Sequence, residues 1–370
     1  MKNVSRSISR YAVSAAAVAV LAAFSACSSN KGTNANDDER TGQGFIYLTD
    51  YQSAALAEYD AQDTSVTTVP VASLYTDVAL RSYGGLLYVI ERFGRDAVRV
   101  IDPTKPSAPL ANYSVGNGTN PQDIVVLDEH TAYVFRLNTA KVLRIDPTTG
   151  DSTGTVDASA YADAADGKPE LAGAVHLGET VWAIAQVLDT KSDPYFWPPT
   201  GPGKLLAIDP KSNAVTAWRA LTIENPSTVV RSDDAVYVAG GPWGDQANSG
   251  IDEYRPADGA VRRVVAGTAL HGQPTGLELL GDGTAWVLVA QEWPKASVYR
   301  INLASGAVLD SLKGIESPSA IGLGAANQLL VSDRSMTSPG VYVFDATTGS
   351  RIKGPISTAL PPDAIAFLRK

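Results

Sequence analysis

Seven short turns of one type recur along the chain and limit the folds that it can adopt. Two of them read RIDPTTG at 144–150 and VFDATTG at 343–349. The seven turns are centred on Asp60, Asp102, Asp146, Asp209, Arg255, Asn302 and Asp345, at successive intervals of 42, 44, 63, 46, 47 and 43 residues. An Asx side chain caps its own backbone, Pro presets φ and Gly takes a left-handed conformation, as a tight hairpin requires. A unit of about 40–50 residues that repeats in this way is typical of a β-propeller.

Each repeat contains four short strand patterns, with an aromatic residue at a fixed place in the second strand. The residues at this place are Tyr47, Tyr88, Tyr133, Trp182, Tyr237 and Trp286, with Leu330 in the remaining repeat. A large ring in every blade fills the wedge between neighbouring sheets. We therefore predict that this series belongs to the core, not to a ligand site.

The two ends of the repeat region each lack part of a repeat. Residues 363–368 form an innermost-strand pattern with no second strand after it, and residues 45–48 form a second-strand pattern with no innermost strand before it. Together they complete one blade and remove the exposed edges. The sequence thus predicts an all-β fold over 44–370, a seven-bladed β-propeller of four-stranded antiparallel blades closed by pairing of the N- and C-terminal strands.

The first 26 residues have the features of a lipoprotein signal peptide. Lys2, Arg6 and Arg10 form a basic start, and residues 11–24 are apolar but short for a membrane span. Cys27 is the sole cysteine and follows Ser25-Ala26, where a lipid would be attached. Residues 27–43 are polar and predict a flexible tether. We expect a lipid-anchored protein of the cell envelope, most simply of the outer membrane; the alternative is an ordinary secretion signal.

The charge balance argues against nucleic acid as a partner. The chain has 30 basic and 39 acidic residues, and removing three basic residues with the leader leaves 27 against 39, a net charge of −12. An acidic domain is repelled by phosphates and by anionic membrane surfaces. We therefore expect contact with the membrane only through the lipid anchor.

Two stretches carry a resemblance to a known family. LLYVIERFGRDAVRVIDP (86–103) and AYVFRLNTAKVLRIDPTTG (132–150) show a strand, a polar break, a second strand and a turn. This pattern resembles the YVTN-type repeat propellers. The resemblance implies a seven-bladed propeller surface lipoprotein and specifies no ligand.

The loops between second and third strands share one face of a propeller with the connections between blades. These loops differ from repeat to repeat, and variable loops on a repeated scaffold are where binding residues are usually found. We predict ligand binding by Tyr51, Glu91, Arg92, Arg136, Gln186, Trp197, Trp243, Asp245, Gln291, Trp293, Arg334 and His271.

The long 63-residue interval contains an insertion at 186–203 with three consecutive aromatic residues between prolines. Folded over the propeller mouth, it would bring Trp197 near Trp243 and Trp293. Aromatic rings with Arg92, Arg136 and Arg334 nearby would stack on a flat or sugar-like ligand and hold an anionic group. The alternative is a lid whose aromatic residues pack on one another.

No motif in the chain predicts catalysis, a metal site or a cofactor. Of the three histidines, only His271 is expected near the mouth. We predict a protein that binds a small nutrient or a cofactor-like molecule non-catalytically, as a monomer or as the partner of a transporter. The alternatives are a protein–protein scaffold in an envelope complex, and a lactonase- or lyase-like enzyme in which His271 pairs with Glu292 or Glu91.

Overall fold

A computed structural model describes residues 40–192, 197–292 and 295–370. The predicted signal peptide 1–26, Cys27, most of the predicted tether and Trp293 lie outside these residues. Among the described residues, no helix has both the length and the apolar character needed to cross a membrane.

Within these described residues, twenty-eight strands form seven four-stranded sheets, which we number as blades 1 to 7. Blade 1 contains β1 (Arg40–Thr49), β2 (Ala54–Asp60) and β3 (Ser65–Val69); blade 2, β4 (Val78–Tyr83), β5 (Leu86–Glu91), β6 (Ala97–Ile101) and β7 (Ala111–Ser114); blade 3, β8 (Pro121–Asp128), β9 (Thr131–Arg136), β10 (Lys141–Ile145) and β11 (Ser152–Asp157); blade 4, β12 (Leu171–Leu177), β13 (Thr180–Ala185), β14 (Pro202–Asp209) and β15 (Ala214–Glu224); blade 5, β16 (Pro226–Arg231), β17 (Val236–Gly240), β18 (Gly250–Arg255) and β19 (Ala260–Ala266); blade 6, β20 (Gln273–Leu279), β21 (Thr284–Ala290), β22 (Ala296–Asn302) and β23 (Val308–Ser311); blade 7, β24 (Pro318–Leu323), β25 (Gln328–Asp333), β26 (Gly340–Asp345) and β27 (Arg351–Ser357). The last strand, β28 (Pro362–Arg369), returns to blade 1. A single short helix, α1 (Gly267–Leu270), stands between blades 5 and 6 of this described region.

The predicted seven-bladed propeller and its closure are confirmed. All pairs within the blades are antiparallel, and β28 pairs with β1 as the innermost strand of blade 1, with Ile46 opposite Ile365. Strand β1 begins at Arg40, four residues before the predicted start of the domain at 44. Residues 40–43, predicted as part of the tether, therefore belong to the first strand. Although they are polar, Gln43 pairs with β2 and Arg40 with β28.

The Asx turns join the third and fourth strands of their blades. Asp102, Asp146 and Asp209 each accept a hydrogen bond through Oδ1 from the amide two residues later, at 2.9, 2.8 and 2.9 Å. This bond closes the turn within its own residues and requires no tertiary contact. The same turn can therefore recur in successive blades. We call the face that carries these turns the turn face, and the opposite one the loop face.

The core lies between adjacent blades, where the predicted aromatic series is buried. The polar ends of three of its rings bond to the following blade or the connection leading to it: Tyr47 OH donates to Tyr75 O at 2.7 Å and Trp286 Nε1 to Ala346 O at 2.7 Å. Tyr133 OH reaches Asn213 Oδ1 at 3.1 Å. The rings of the series thus fill the wedges between sheets, as predicted from the sequence, and these three also satisfy their polar groups there.

Candidate functional site

Two adjoining clefts open on the loop face and share Pro242 and Trp243. The central cleft, of about 450 Å³, is lined by Asp77, Arg92, Asn120, Gln122, Leu137, Gln186, Leu188, Trp197, Pro199, Asn225, Pro242 and Trp243. The side cleft, of about 380 Å³, is lined by Pro242, Trp243, Gly244, Asp245, Gln246, Ser249, His271, Gly272, Gln273, Ala290, Gln291, Glu292 and Lys295. Both volumes fall in the range of small-molecule sites, about 300–1,000 Å³.

The central cleft lies at the mouth of the channel that the innermost strands surround. Asp77, Asn120 and Asn225 stand immediately before the innermost strands β4, β8 and β16 of blades 2, 3 and 5. Since innermost strands begin at the loop face and enclose the channel, residues at these three starts converge across its opening. The cleft therefore collects side chains from four consecutive blades, 2 to 5.

The two asparagines were not predicted from the sequence, and their backbone explains their position. Asn120 and Asn225 have positive φ values of 50° and 43°. Asparagine tolerates this left-handed conformation better than most residues, and each is followed by a proline that begins an innermost strand. An Asn-Pro pair just before an innermost strand was the sequence signal available for these positions.

Hydrogen bonds hold the polar side chains of the central cleft in place. Arg92 Nε donates to Asp77 Oδ1 at 2.7 Å, and Arg92 Nη1 lies 3.5 Å from Gln122 Oε1. Gln122 Nε2 donates to Asn120 Oδ1 at 2.8 Å. On the opposite side, Gln186 Nε2 donates to Asn225 Oδ1 at 2.8 Å. Gln122 uses both ends of its amide in these bonds, whereas no bond within the described residues uses Asn120 Nδ2, Gln186 Oε1 or Asn225 Nδ2, so these three atoms can bind a ligand.

The insertion in blade 4 forms one wall of the central cleft. Its described residues fold back as a hairpin: Leu188 and Pro199 form a bridge, and Thr200 N donates to Val187 O at 2.9 Å. This places Trp197 on the cleft together with Trp243, which is 56% exposed. Within the described residues neither indole stacks on another aromatic ring, so both present surface to the cleft.

The side cleft gathers three further predicted residues, His271, Asp245 and Gln291. His271 ends α1 in a left-handed conformation, with φ of 55°, and is exposed. Asp245 caps the backbone amides of Ala247 and Asn248, and these bonds together with the Asn248 side chain lower the pKa of Asp245. None of the described carboxylates forms an ion pair with His271, although Glu292 lines the same cleft.

Four predicted residues lie outside both clefts. Glu91 is fully buried and forms an ion pair with Arg99 at 2.9 Å, so its carboxylate lies inside blade 2. Arg136 is also buried: its two terminal nitrogens donate to Val115 O at 2.8 Å and Lys141 O at 3.0 Å. This burial lowers the pKa of Arg136. The prediction that these two side chains face a ligand fails because their charged ends turn into the protein.

Tyr51 and Arg334 form a separate pair beside blade 1. The Arg334 guanidinium carbon lies 4.8 Å from the centre of the Tyr51 ring, and Arg334 Nη1 is 2.5 Å from Asp363 Oδ1. Arg92 is likewise paired, with Asp77. The expected arginine cluster for an anionic group is therefore not formed, because each of the three arginines has its partner within the protein.

The chemistry of the central cleft is that of a site for an uncharged polar molecule. Its one arginine is neutralised by its one carboxylate, and the other polar groups are four amides. Two indoles and the side chains of Leu137, Leu188 and two prolines supply the apolar surface. Flat or ring-shaped ligands with both donors and acceptors match such a surface.

Solved structures share the fold of this chain at low sequence identity. A candidate 6-phosphogluconolactonase from Bacteroides fragilis is 13% identical, with a TM-score of 0.64 over 91% of this chain and 100% of its own. A Lactobacillus plantarum protein is 13% identical, with a TM-score of 0.64 over 88% and 99% of the two chains. The dihydro-heme d1 dehydrogenase NirN, solved with its ligand DHE, is 12% identical, with a TM-score of 0.58 over 90% and 77%. These likenesses show the propeller fold.

No protein-family model matches the chain, and no curated protein sequence matches it.

Proposed function

We propose that this protein is a cell-envelope lipoprotein that binds a neutral small or medium-sized molecule, without catalysis, in the central cleft. The observation that carries the proposal is the convergence of four amides and two indoles from blades 2 to 5 on one cleft of about 450 Å³. A flat protein-docking face would lack such a recess, so the cleft favours a small molecule over the scaffold alternative.

The ligand class follows from the charges around the cleft. Arg92 already bonds to Asp77 at 2.7 Å through Nε, so a ligand anion would have to compete with a carboxylate. Gln122, Asn120, Gln186 and Asn225 are uncharged and bind both donors and acceptors. A ring-shaped nutrient or cofactor fragment that carries hydroxyl or amide groups fits these properties best.

The course of the first strand shows on which face the described chain enters the propeller. Arg40, where β1 begins, pairs with Arg369 at the end of β28, and Arg369 O accepts from Gly85 N in a tight turn of blade 2 on the turn face. The chain therefore enters the propeller on the face opposite the clefts.

The proposal excludes a lactonase- or lyase-like reaction. His271 lines the side cleft without a carboxylate partner among the described residues, so its ring has no group to orient it as a general base. The fold shared with a candidate lactonase at 13% identity says nothing about activity. Hydrolysis of 6-phosphogluconolactone by the purified protein, lost in His271→Ala, would contradict the non-catalytic part of the proposal.

We expect the double substitution Trp197→Ala and Trp243→Ala to abolish retention of the native ligand. Both indoles line the central cleft, and Trp243 is 56% exposed, so their removal takes away stacking surface without opening the core. Native mass spectrometry of protein purified from its own host measures the retained mass, and circular dichroism measures the fold. The matched control is Trp218→Ala, which removes an exposed indole from β15. Equal retention by the double variant and the control would refute the site.

We expect Cys27→Ala to release the protein from the membrane. The substitution removes the only thiol to which lipid can be attached, and the described domain contains no helix that could replace the anchor. Fractionation and radiolabelled palmitate incorporation in the native host measure the change. Wild-type protein that incorporates no palmitate, or a Cys27→Ala protein that still does, would contradict lipidation at Cys27, and Ser28→Ala is the control for a change at the cleavage region.

A further inference from the structure

Three carboxylates that line neither cleft meet in the connection between β11 and β12. Asp163, Asp166 and Glu170 each bring one oxygen within 4.8 Å of the others. They lie in the segment DAADGKPE (163–170), in which Gly167 takes a positive φ of 79° to turn the chain. The function proposed above makes no use of this cluster.

The cluster contains two buried oxygen atoms that lack hydrogen bonds. Glu170 is fully buried, and its Oε2 accepts from Leu188 N at 2.9 Å. Within the described residues, neither Glu170 Oε1 nor the buried Oδ2 of Asp163 has a hydrogen-bond donor. Buried polar atoms are normally satisfied, and a carboxylate oxygen left without a partner is costly. A positively charged group or ion is therefore expected between Glu170 Oε1 and Asp163 Oδ2.

The nearby lysines do not fill this role. Lys168 Nζ lies 3.3 Å from Asp166 Oδ2 and 3.1 Å from Thr190 Oγ1, on the side of Asp166. Lys204 Nζ donates to Tyr161 O at 2.6 Å. Among the described residues, neither ammonium group donates a hydrogen bond to Glu170 Oε1 or Asp163 Oδ2, so both oxygens remain available to a cation.

We propose that Asp163, Asp166 and Glu170 form a calcium-binding site. All three donors are carboxylates, which suit hard cations and not Zn²⁺, whose sites are built on nitrogen and sulfur. Ca²⁺ accepts six to eight oxygens in irregular geometry, so it fits a loop whose remaining positions are open to carbonyls and water. Mg²⁺ requires near-octahedral geometry and fits such a loop less well.

The site would fasten the insertion that forms one wall of the central cleft. Thr190 donates through Oγ1 to Asp166, and Leu188 donates through its amide to Glu170. Leu188 lines the central cleft and forms a bridge with Pro199, two residues after Trp197. A cation that holds the three carboxylates together therefore holds the connection 158–170 against the base of the insertion. This conclusion is independent of the ligand proposed for the cleft.

Terbium luminescence tests the site, with calcium as the competitor. Tyr161 stands two residues before Asp163, and its ring centre is 6.3 Å from that of Trp218, which makes these rings the chosen sensitisers of a bound Tb³⁺. In the chelator-treated full chain we expect saturable emission that Ca²⁺ displaces at lower concentration than Mg²⁺. We also expect Ca²⁺ to raise the melting temperature.

Glu170→Gln is the decisive variant. Its side-chain amide can donate to Asp163 Oδ2 and so satisfies that oxygen without a cation, which preserves the fold. We expect Ca²⁺ affinity to fall by about tenfold or more, since ligand charge sets the affinity of calcium sites. Glu179→Gln, at an exposed carboxylate on the turn between β12 and β13, is the matched control and should bind as wild type.

Two results would overturn the proposal. One is the absence of Tb³⁺ or Ca²⁺ binding by the wild type at up to about 10 mM, above the range of weak extracellular sites. The other is unchanged binding by Glu170→Gln. Either result would indicate that Glu170 and Asp163 share a single proton, which satisfies the two oxygens without a cation.

Discussion

Replacing Glu91 by Ala is expected to lower the free energy of unfolding by about 3–5 kcal/mol, the cost of leaving one member of a buried ion pair without its partner. Glu91 is fully buried and Arg99 is 4% exposed, with 2.9 Å between Glu91 Oε1 and Arg99 Nη2. Arg99 also donates to Ala72 O at 2.6 Å and Ser73 O at 3.2 Å. The pair thus joins blade 2 to the connection from blade 1, and denaturant-induced unfolding measures its loss.

Two further variants identify the cause of that loss. Replacing both partners, as Glu91→Ala with Arg99→Met, should recover much of the stability, because an apolar pair leaves no buried charge. Glu179→Ala removes one partner of the exposed pair with Lys211 and should leave the unfolding curve unchanged. If Glu91→Ala unfolds with the same free energy as the wild type, Arg99 is hydrated and the buried ion pair does not stabilise the fold. Glu91 would then again be a candidate for ligand binding.

Replacing Phe367 by Ala is expected to cost about 3–5 kcal/mol and to loosen the closure of the ring. Phe367 lies in β28, the strand that completes blade 1, and it packs edge-to-face on Tyr59 with 6.0 Å between ring centres. The ring is 6% exposed. Removing it leaves a cavity at the junction of blades 7 and 1. Loss of hydrogen-exchange protection in β1 measures the loosening directly, and the free energy of unfolding measures the total cost.

A second substitution tests whether the cavity is the cause. A Cβ at Gly324 would lie 2.3 Å from Phe367 Cε1, so Gly324→Ala should destabilise the wild type by forcing the ring aside. In the Phe367→Ala background the same methyl group enters vacated space and should cost little. The two substitutions are therefore expected to be non-additive. Additive effects would mean that Gly324 and Phe367 act independently, contrary to the packing described.

The candidate site was predictable only in part. Arg92, Gln186, Trp197, Trp243, Asp245, Gln291 and His271 line the two clefts, since the strand pattern assigns loops to a face. Glu91 and Arg136 stand at the ends of second strands, so the strand pattern predicts them at the loop face just as it predicts the others. Their side chains nevertheless turn inward. The direction of a side chain at the end of a strand depends on whether a buried counter-charge or carbonyl is within reach, and such partners come from other parts of the sequence.

Two features of the loops gave weak sequence signals. Asn120 and Asn225 take left-handed conformations that bring their amides to the channel mouth. The segment 163–170 brings its acidic residues together only because the connection folds back onto Leu188 and Thr190 of the insertion. The asparagines had only a local Asn-Pro pair as their signal, and the acidic segment depends on contacts between separate loops, which no local pattern specifies.

The sequence by itself determined the number of blades, their strand order and the closure of the ring. These properties follow from local physics: alternation within strands, Asx turns such as that of Asp146 and an aromatic residue in six of the seven second strands recur along the chain. Only the tertiary structure decided which charges are paired, which loops meet and where the clefts open. Glu91, for example, pairs with Arg99 within blade 2, and Arg99 is held in this position because it also bonds to two carbonyl groups in the connection from blade 1.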